Sequence, residues 1–174
     1  MEFEPVMGTM AVSSATRNAV EENFWSMWSQ FGRGPECAMH ADRGIVWFET
    51  PIEVQPYNMV LRCREDEEDD AIARVFSHFQ HRAVPFGWLV HPSARPADLE
   101  SRLERQGFEA VEQMTGMAMD LTNLPASPVV PPGVQIYRLA VLHSTRMALP
   151  LYKRLGFREV GQFSLCAAPG SFYS

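Results

Sequence analysis

Six consecutive carboxylates, Glu65-Asp66-Glu67-Glu68-Asp69-Asp70, form the densest set of ligand-type oxygens in the chain, and His78 and His81 follow shortly after. A hard cation would need those oxygens wrapped in a tight loop. Instead the run leads directly into Ile72, Val75, Phe76 and Phe79, whose spacing predicts a helix reaching about His81. Carboxylates in a first turn complement the positive end of the helix dipole, so this run reads as a charged helix start and no metal is expected. His78 and His81 lie three apart on that helix and are read as solvated. Cys37, Cys63 and Cys166 are too scattered for a metal knuckle and odd in number for a disulfide framework, so packed, reduced thiols are expected. Gln30-Phe31-Gly32-Arg33-Gly34 offers the residue types of a phosphate loop, but it follows a helix and Pro35 lacks an N–H, so it reads as a helix stop. Glu49, Glu53 and Glu112 are general-base candidates that spacing alone does not rank. No G-x-S-x-G elbow occurs, and Trp25, Trp28, Trp47 and Trp88 read as core in preference to a pocket lining.

The chain has 174 residues, 46% of them hydrophobic, enough for one or two globular domains with a real core. With 15 Lys+Arg against 21 Asp+Glu its formal net charge is -6, which disfavours a nucleic-acid partner. The acidic, proline-broken start Met1-Glu2-Phe3-Glu4-Pro5 lacks the features of a secretion signal. No apolar run is long enough to span a bilayer, and a cytoplasmic protein without membrane partners is expected.

Residues 1–12 read as a loose tail, and Ser13-Ser14 as the cap of a helix over 14–31 with an inward stripe of Val20, Phe24, Met27, Trp28 and Phe31. Short β-prone runs at 38–40, 44–48 and 58–63 predict a meander, followed by a helix over 67–82. A strand at 85–90 comes next, then a helix from Pro96 to about Gln106 stopped by Gly107, then strands at 108–112 and 117–121. Pro125, Pro128, Pro131 and Pro132 mark an extended linker. The expected division is therefore an amino-terminal lobe at 1–122, a linker at 123–133 and a carboxyl piece at 134–174.

Residues 140–157, Ala-Val-Leu-His-Ser-Thr-Arg-Met-Ala-Leu-Pro-Leu-Tyr-Lys-Arg-Leu-Gly-Phe, read as strand, helix and a Gly-Phe stop into another strand. This segment resembles the last strand-helix-strand piece of the acetyl-CoA-dependent N-acetyltransferases of the GNAT superfamily. Trp88 to Leu121, with Trp-x-x-x-Pro-x-x-x-Pro-x-x-Leu, Leu-x-x-x-Gly-Phe and Met-x-Met-Asp-Leu, is similar to the amino-terminal half of two-lobed bacterial members. Asn23-Phe24-Trp25 and Asn58 fit the same pattern. The resemblance implies an α/β, or α+β, fold with a mixed, largely antiparallel sheet flanked by helices. It implies acetyl transfer from acetyl-CoA as co-substrate to a small amine. Tyr152 would then protonate the departing thiolate, and Thr145 and Ala148 would flank the donor's pantetheine arm. Equally, Tyr152 between Leu151 and Leu155 reads as a packed tyrosine, and Thr145 as a helix cap. Pro150 predicts a late or kinked start to that helix.

The chain departs from the family where the donor should be held. The Q/R-x-x-G-x-G/A run that cradles the pyrophosphate is missing before Ala140, because Val134 to Arg138, which looks like an opening strand, runs straight into what looks like the fifth. The function expected is thus acetyltransferase-like, with a non-catalytic interaction or regulatory lobe, or a remnant, as its alternative. A truncated strand-helix-strand unit leaves an open edge, so the carboxyl piece is expected either to complete the first sheet or to pair with another protomer in a homo-oligomer.

Overall fold

The computed structural model describes residues 12–42, 44–64, 69–121 and 139–171, so the tail, the proline-rich stretch and the expected strand at 134–138 lie outside the description. Ser13 caps α1 (Ser14–Trp28), its hydroxyl oxygen accepting from the Thr16 N–H at 3.0 Å. α1 stops earlier than the spacing predicts, and a single 3₁₀ turn at Phe31–Arg33 follows, confirming a helix stop there. Its inward stripe is also rotated. Val20, Glu21, Phe24 and Trp25 are buried, whereas Met27 is 54% exposed.

The strands β1 (Ala38–Asp42), β2 (Ile45–Glu49) and β3 (Met59–Cys63) form the expected meander, and α2 (Asp69–Arg82) crosses from β3 to β4 (Gly87–Val90). α3 (Leu99–Arg105) begins three residues after Pro96, and the Leu99 N–H donates to the Pro96 carbonyl at 3.0 Å. The two strands expected at 108–112 and 117–121 are one twelve-residue strand, β5 (Glu109–Asp120). Thr115 and Gly116 continue it because Gly116 leaves room for Val20 of α1 and for Phe163, where a Cβ would meet atoms at 2.6 and 2.7 Å. β6 (Leu139–Thr145), α4 (Leu149–Arg154) and β7 (Arg158–Ala167) complete the chain.

These strands make one seven-stranded sheet in the order β1-β2-β3-β4-β7-β5-β6. Only β3 and β4 pair in parallel, giving the mixed, largely antiparallel sheet that the resemblance implies. β6 and β7 each run antiparallel to β5, so they are parallel to one another and α4 bridges them across β5. The expected boundary between an amino-terminal lobe and a carboxyl piece does not divide this sheet. β7 lies between β4 and β5, pairing Gly87 with Ala167 on one side and Met114 with Phe163 on the other. Proline breaks local structure but does not prevent the chain beyond it from returning to a gap in the same sheet.

α1 covers one face, where Val20, Phe24 and Trp25 pack with Phe48, Met59, Leu89 and Phe163. α2 and α3 cover the other, where Phe79, Leu99 and Leu103 pack with Val60, Trp88, Phe108 and Cys166. β6 is an outer strand without a charged residue, and among the described residues it pairs with β5 alone. Beside it α4 exposes Leu151 and Leu155, with Met147 just before the helix.

Candidate functional site

In open α/β sheets the carboxyl ends of parallel strands are where ligands enter, and here the single parallel pair parts early. Met59 pairs with Gly87 and Val60 with Trp88, then the ladder stops. A bulge marks the place: Val60 faces Trp47 and Arg62 faces Val46, leaving Leu61 without a partner in β2. The extra residue reverses the alternation, sending Cys63 into the α2/α3 core while Arg62 and Arg64 reach Trp25 of α1. His91, which follows β4, closes the gap between the strands, its Nε2 accepting from the Cys63 N–H at 3.4 Å. That contact places the ring proton of the neutral imidazole on Nδ1, which lies 3.2 Å from Ser93 Oγ and 3.6 Å from Glu21 Oε2.

Glu21 is the centre of this cluster, and its side chain and that of His91 are both wholly buried. Its carboxylate accepts from the Ser93 N–H at 2.9 Å, from the Ser93 hydroxyl, and from Arg64 Nη2 at 3.4 Å. Burial pushes its carboxyl up, but the hydrogen bonds from His91 and Ser93 outweigh burial and hold it below the ordinary value. It is therefore a poor base. Ser93 in turn donates its proton to a carboxylate and receives one from Nδ1, the reverse of what an activated serine requires. The cluster ties α1 to the β3/β4 gap.

A second carboxylate is clasped on the other side. Glu49 of β2 meets His40 Nε2 at 3.0 Å, His78 Nε2 at 2.7 Å and Arg82 Nη1 at 2.5 Å. Burial raises its carboxyl, yet the bonds from His78 and His40 and the Arg82 charge bring it below the ordinary value, so Glu49 too is ill suited as a general base. His78 is thus hydrogen-bonded to Glu49 where spacing indicated a solvated side chain, while His81 bonds back to Ser77. Glu53 is exposed on the wall of an open cleft of about 490 Å³ floored by Phe76, Phe79 and Phe86. Glu112 is exposed on β5, and the structure brings none of the three glutamates together.

Tyr152 is half-buried on α4, edge-on to Phe157 at 5.8 Å, and α4 packs beside β6 at the far end of the sheet order, although β7 of the same strand-helix-strand unit pairs with β4. Pro150 falls in the first turn of α4, where its missing N–H costs nothing, so the helix begins at Leu149 without a kink. Ala148 occupies the cap position. Thr145 ends β6 exposed, and its carbonyl, not its hydroxyl, meets the Ala148 N–H at 3.2 Å. All three cysteines are free, and burial lifts Cys166 to about 12, leaving its thiol inert. Among the described residues no His, Cys, Asp or Glu group has the arrangement of a metal site.

His143 of β6 adds a titratable group within the α1 face. Its ring sits edge-on to Phe24 at 4.6 Å and Phe163 at 4.7 Å, and its Nε2 is buried without a hydrogen-bond partner among the described residues. Burial lowers it from 6.5 to about 4. The unfolded chain therefore binds this proton first. Stability contributed by the neutral ring is complete above pH 6.5 and falls by up to about 3 kcal/mol as pH drops towards 4. His143→Phe should flatten the stability profile across that window, as followed by urea melts at pH 4.5 and 7. An unchanged slope would place the titration elsewhere.

The sequence pattern contains Arg64 and His91 only as residues next to strand ends, Ser93 only as part of the turn at 92–96, and Glu21 only as one polar position beside the apolar stripe. The available signal was the adjacency of Glu21 to Val20 and its i−4 spacing from Trp25, which set it on the buried side once the stripe rotates. Comparison with known protein families, with curated proteins and with solved structures finds no match for this chain.

Proposed function

We propose that this chain is an acetyltransferase-like lobe that works as an interaction module and not as an acyl-transfer enzyme. The observation that carries this reading is the bridging of the β3/β4 gap by His91 and the buried Glu21 cluster, whose groups bond to one another across it. Electrostatics act in the same direction. In sequence, Glu65, Asp66, Glu67 and Glu68 precede α2, one of the two helices that follow the parallel strands, and would repel a pyrophosphate at its start. The contact surface in this reading is the uncharged outer edge of β6 together with Met147, Leu151 and Leu155, where a second copy could extend the sheet. The setting proposed is cytoplasmic, and no described helix is long and apolar enough to cross a membrane.

Acetyl-CoA titrated calorimetrically into the protein should give no binding heat, and a micromolar constant would restore the enzyme reading with a small amine as acceptor. Tyr152→Phe supplies the companion measurement. Its hydroxyl has no hydrogen-bond partner among the described residues, so the substitution should change stability by less than about 0.5 kcal/mol. Acetyl transfer by the parent that drops by roughly 10²- to 10⁴-fold in Tyr152→Phe would instead mark a general acid.

A further inference from the structure

We infer that the cleft between the end of α1 and β3 binds a small oxyanion, a phosphate or a carboxylate group, through Arg62 and Arg33. The bulge at Leu61 brings Arg62 and Arg64 to the same face, where their guanidinium carbons lie 5.0 and 4.9 Å from the centre of the Trp25 ring. The two arginines then differ. Arg64 uses its donors on Glu21 at 3.4 Å and Ser93 at 3.2 Å. Arg62 is only partly exposed, yet its side chain makes no hydrogen bond or ion pair with any described residue.

A guanidinium resting on an indole is held through its face, so its in-plane N–H groups stay free and fixed in direction. That is the arrangement in which arginine grips an oxyanion through two parallel hydrogen bonds. Arg62 opens onto a cleft of about 280 Å³, and Arg33, whose side chain likewise makes no hydrogen bond or ion pair with any described residue, stands in its wall with Ser26, Ser29 and Glu22. Two guanidiniums against one carboxylate leave the cleft at net +1. This suits a single phosphate or carboxylate group and not a polyanion, which the chain's formal charge of -6 would repel. Trp25 is 6% exposed and its indole forms the base under Arg62, so it reports directly on the site.

The test follows the Trp25 indole N–H resonance while inorganic phosphate, and separately acetate, is added against sodium chloride of equal ionic strength. A saturable shift with phosphate or with both anions, but not with chloride, is expected. Phosphate alone would identify a site for a dianion, and both would identify one for oxyanions in general. Arg62→Ala should weaken binding at least tenfold, and Arg33→Ala severalfold, with melting temperatures within a few degrees of the parent. Arg62→Lys, which keeps the charge and loses the parallel pair of donors, should also weaken it and serves in place of the alanine variant if that one does not fold. A dissociation constant above about 10 mM for both anions, or binding that survives unchanged in the Arg62 variants, would overturn the assignment.

Discussion

A chain ending at Asn123 is expected to be recovered unfolded or aggregated, although the prolines that follow have the look of a domain boundary. Cutting there removes β7, and with it the only strand that joins β4 to β5. Phe163 of β7 is wholly buried on the α1 face and Cys166 is buried against α2 and α3, so both cores lose filling at once. Deleting one buried phenylalanine costs about 3–5 kcal/mol, and a whole domain is stable by only about 5–15 kcal/mol. Circular dichroism and gel filtration of the shortened chain make the test. A cooperative melt from a monomer would mean that residues up to 121 close their own sheet and that β7 is an accessory.

Glu21→Ala should be the most damaging single substitution in the molecule. It removes the acceptor of the Ser93 N–H, the Ser93 hydroxyl and Arg64, and leaves these donors and His91 facing an empty space. Removing one partner of a buried charged cluster costs about 3–5 kcal/mol, equivalent to a fall in melting temperature of roughly 10 °C for a chain of this size. The pH dependence gives an independent signature. Because the folded carboxyl sits below its ordinary 4.5, its contribution is complete above about pH 4.5 and lost as the pH falls through the folded value. The alanine variant should therefore converge on the parent in acid, in a window below that of His143. A melting temperature unchanged at pH 7 would show the cluster to be incidental.

Element types were largely legible because each rests on local chemistry. Ser13 caps α1 through its own side chain, and Gly107 and Gly156 take the positive φ values that end α3 and α4. The largely antiparallel sheet followed from short β-prone runs broken by turns. What the sequence hid was long-range. The bulge at Leu61 depends on β2 across the sheet, and without it Arg62 and Arg64 belong to the opposite face. Glu21 is buried because Ser93 and Arg64 arrive from distant parts of the chain, and no periodicity within α1 encodes them. Expecting Met27 and Phe31 inside was a consequence of assigning every apolar residue to one stripe. Sequence spacing likewise could not reveal that Glu49 is flanked by histidines from β1 and α2.

Placing β7 between β4 and β5 has a further consequence for how this protein comes into being. On the ribosome, β4 and β5 emerge long before the strand that separates them, so the half-built sheet must wait with two complementary edges open. Pairing of Gly87 with Ala167 is the most distant strand pairing in the sheet, and closing such a loop is slow. The sheet should thus close only after β7 has emerged, and the yield of the protein in cells should depend on chaperones that shield nascent β edges.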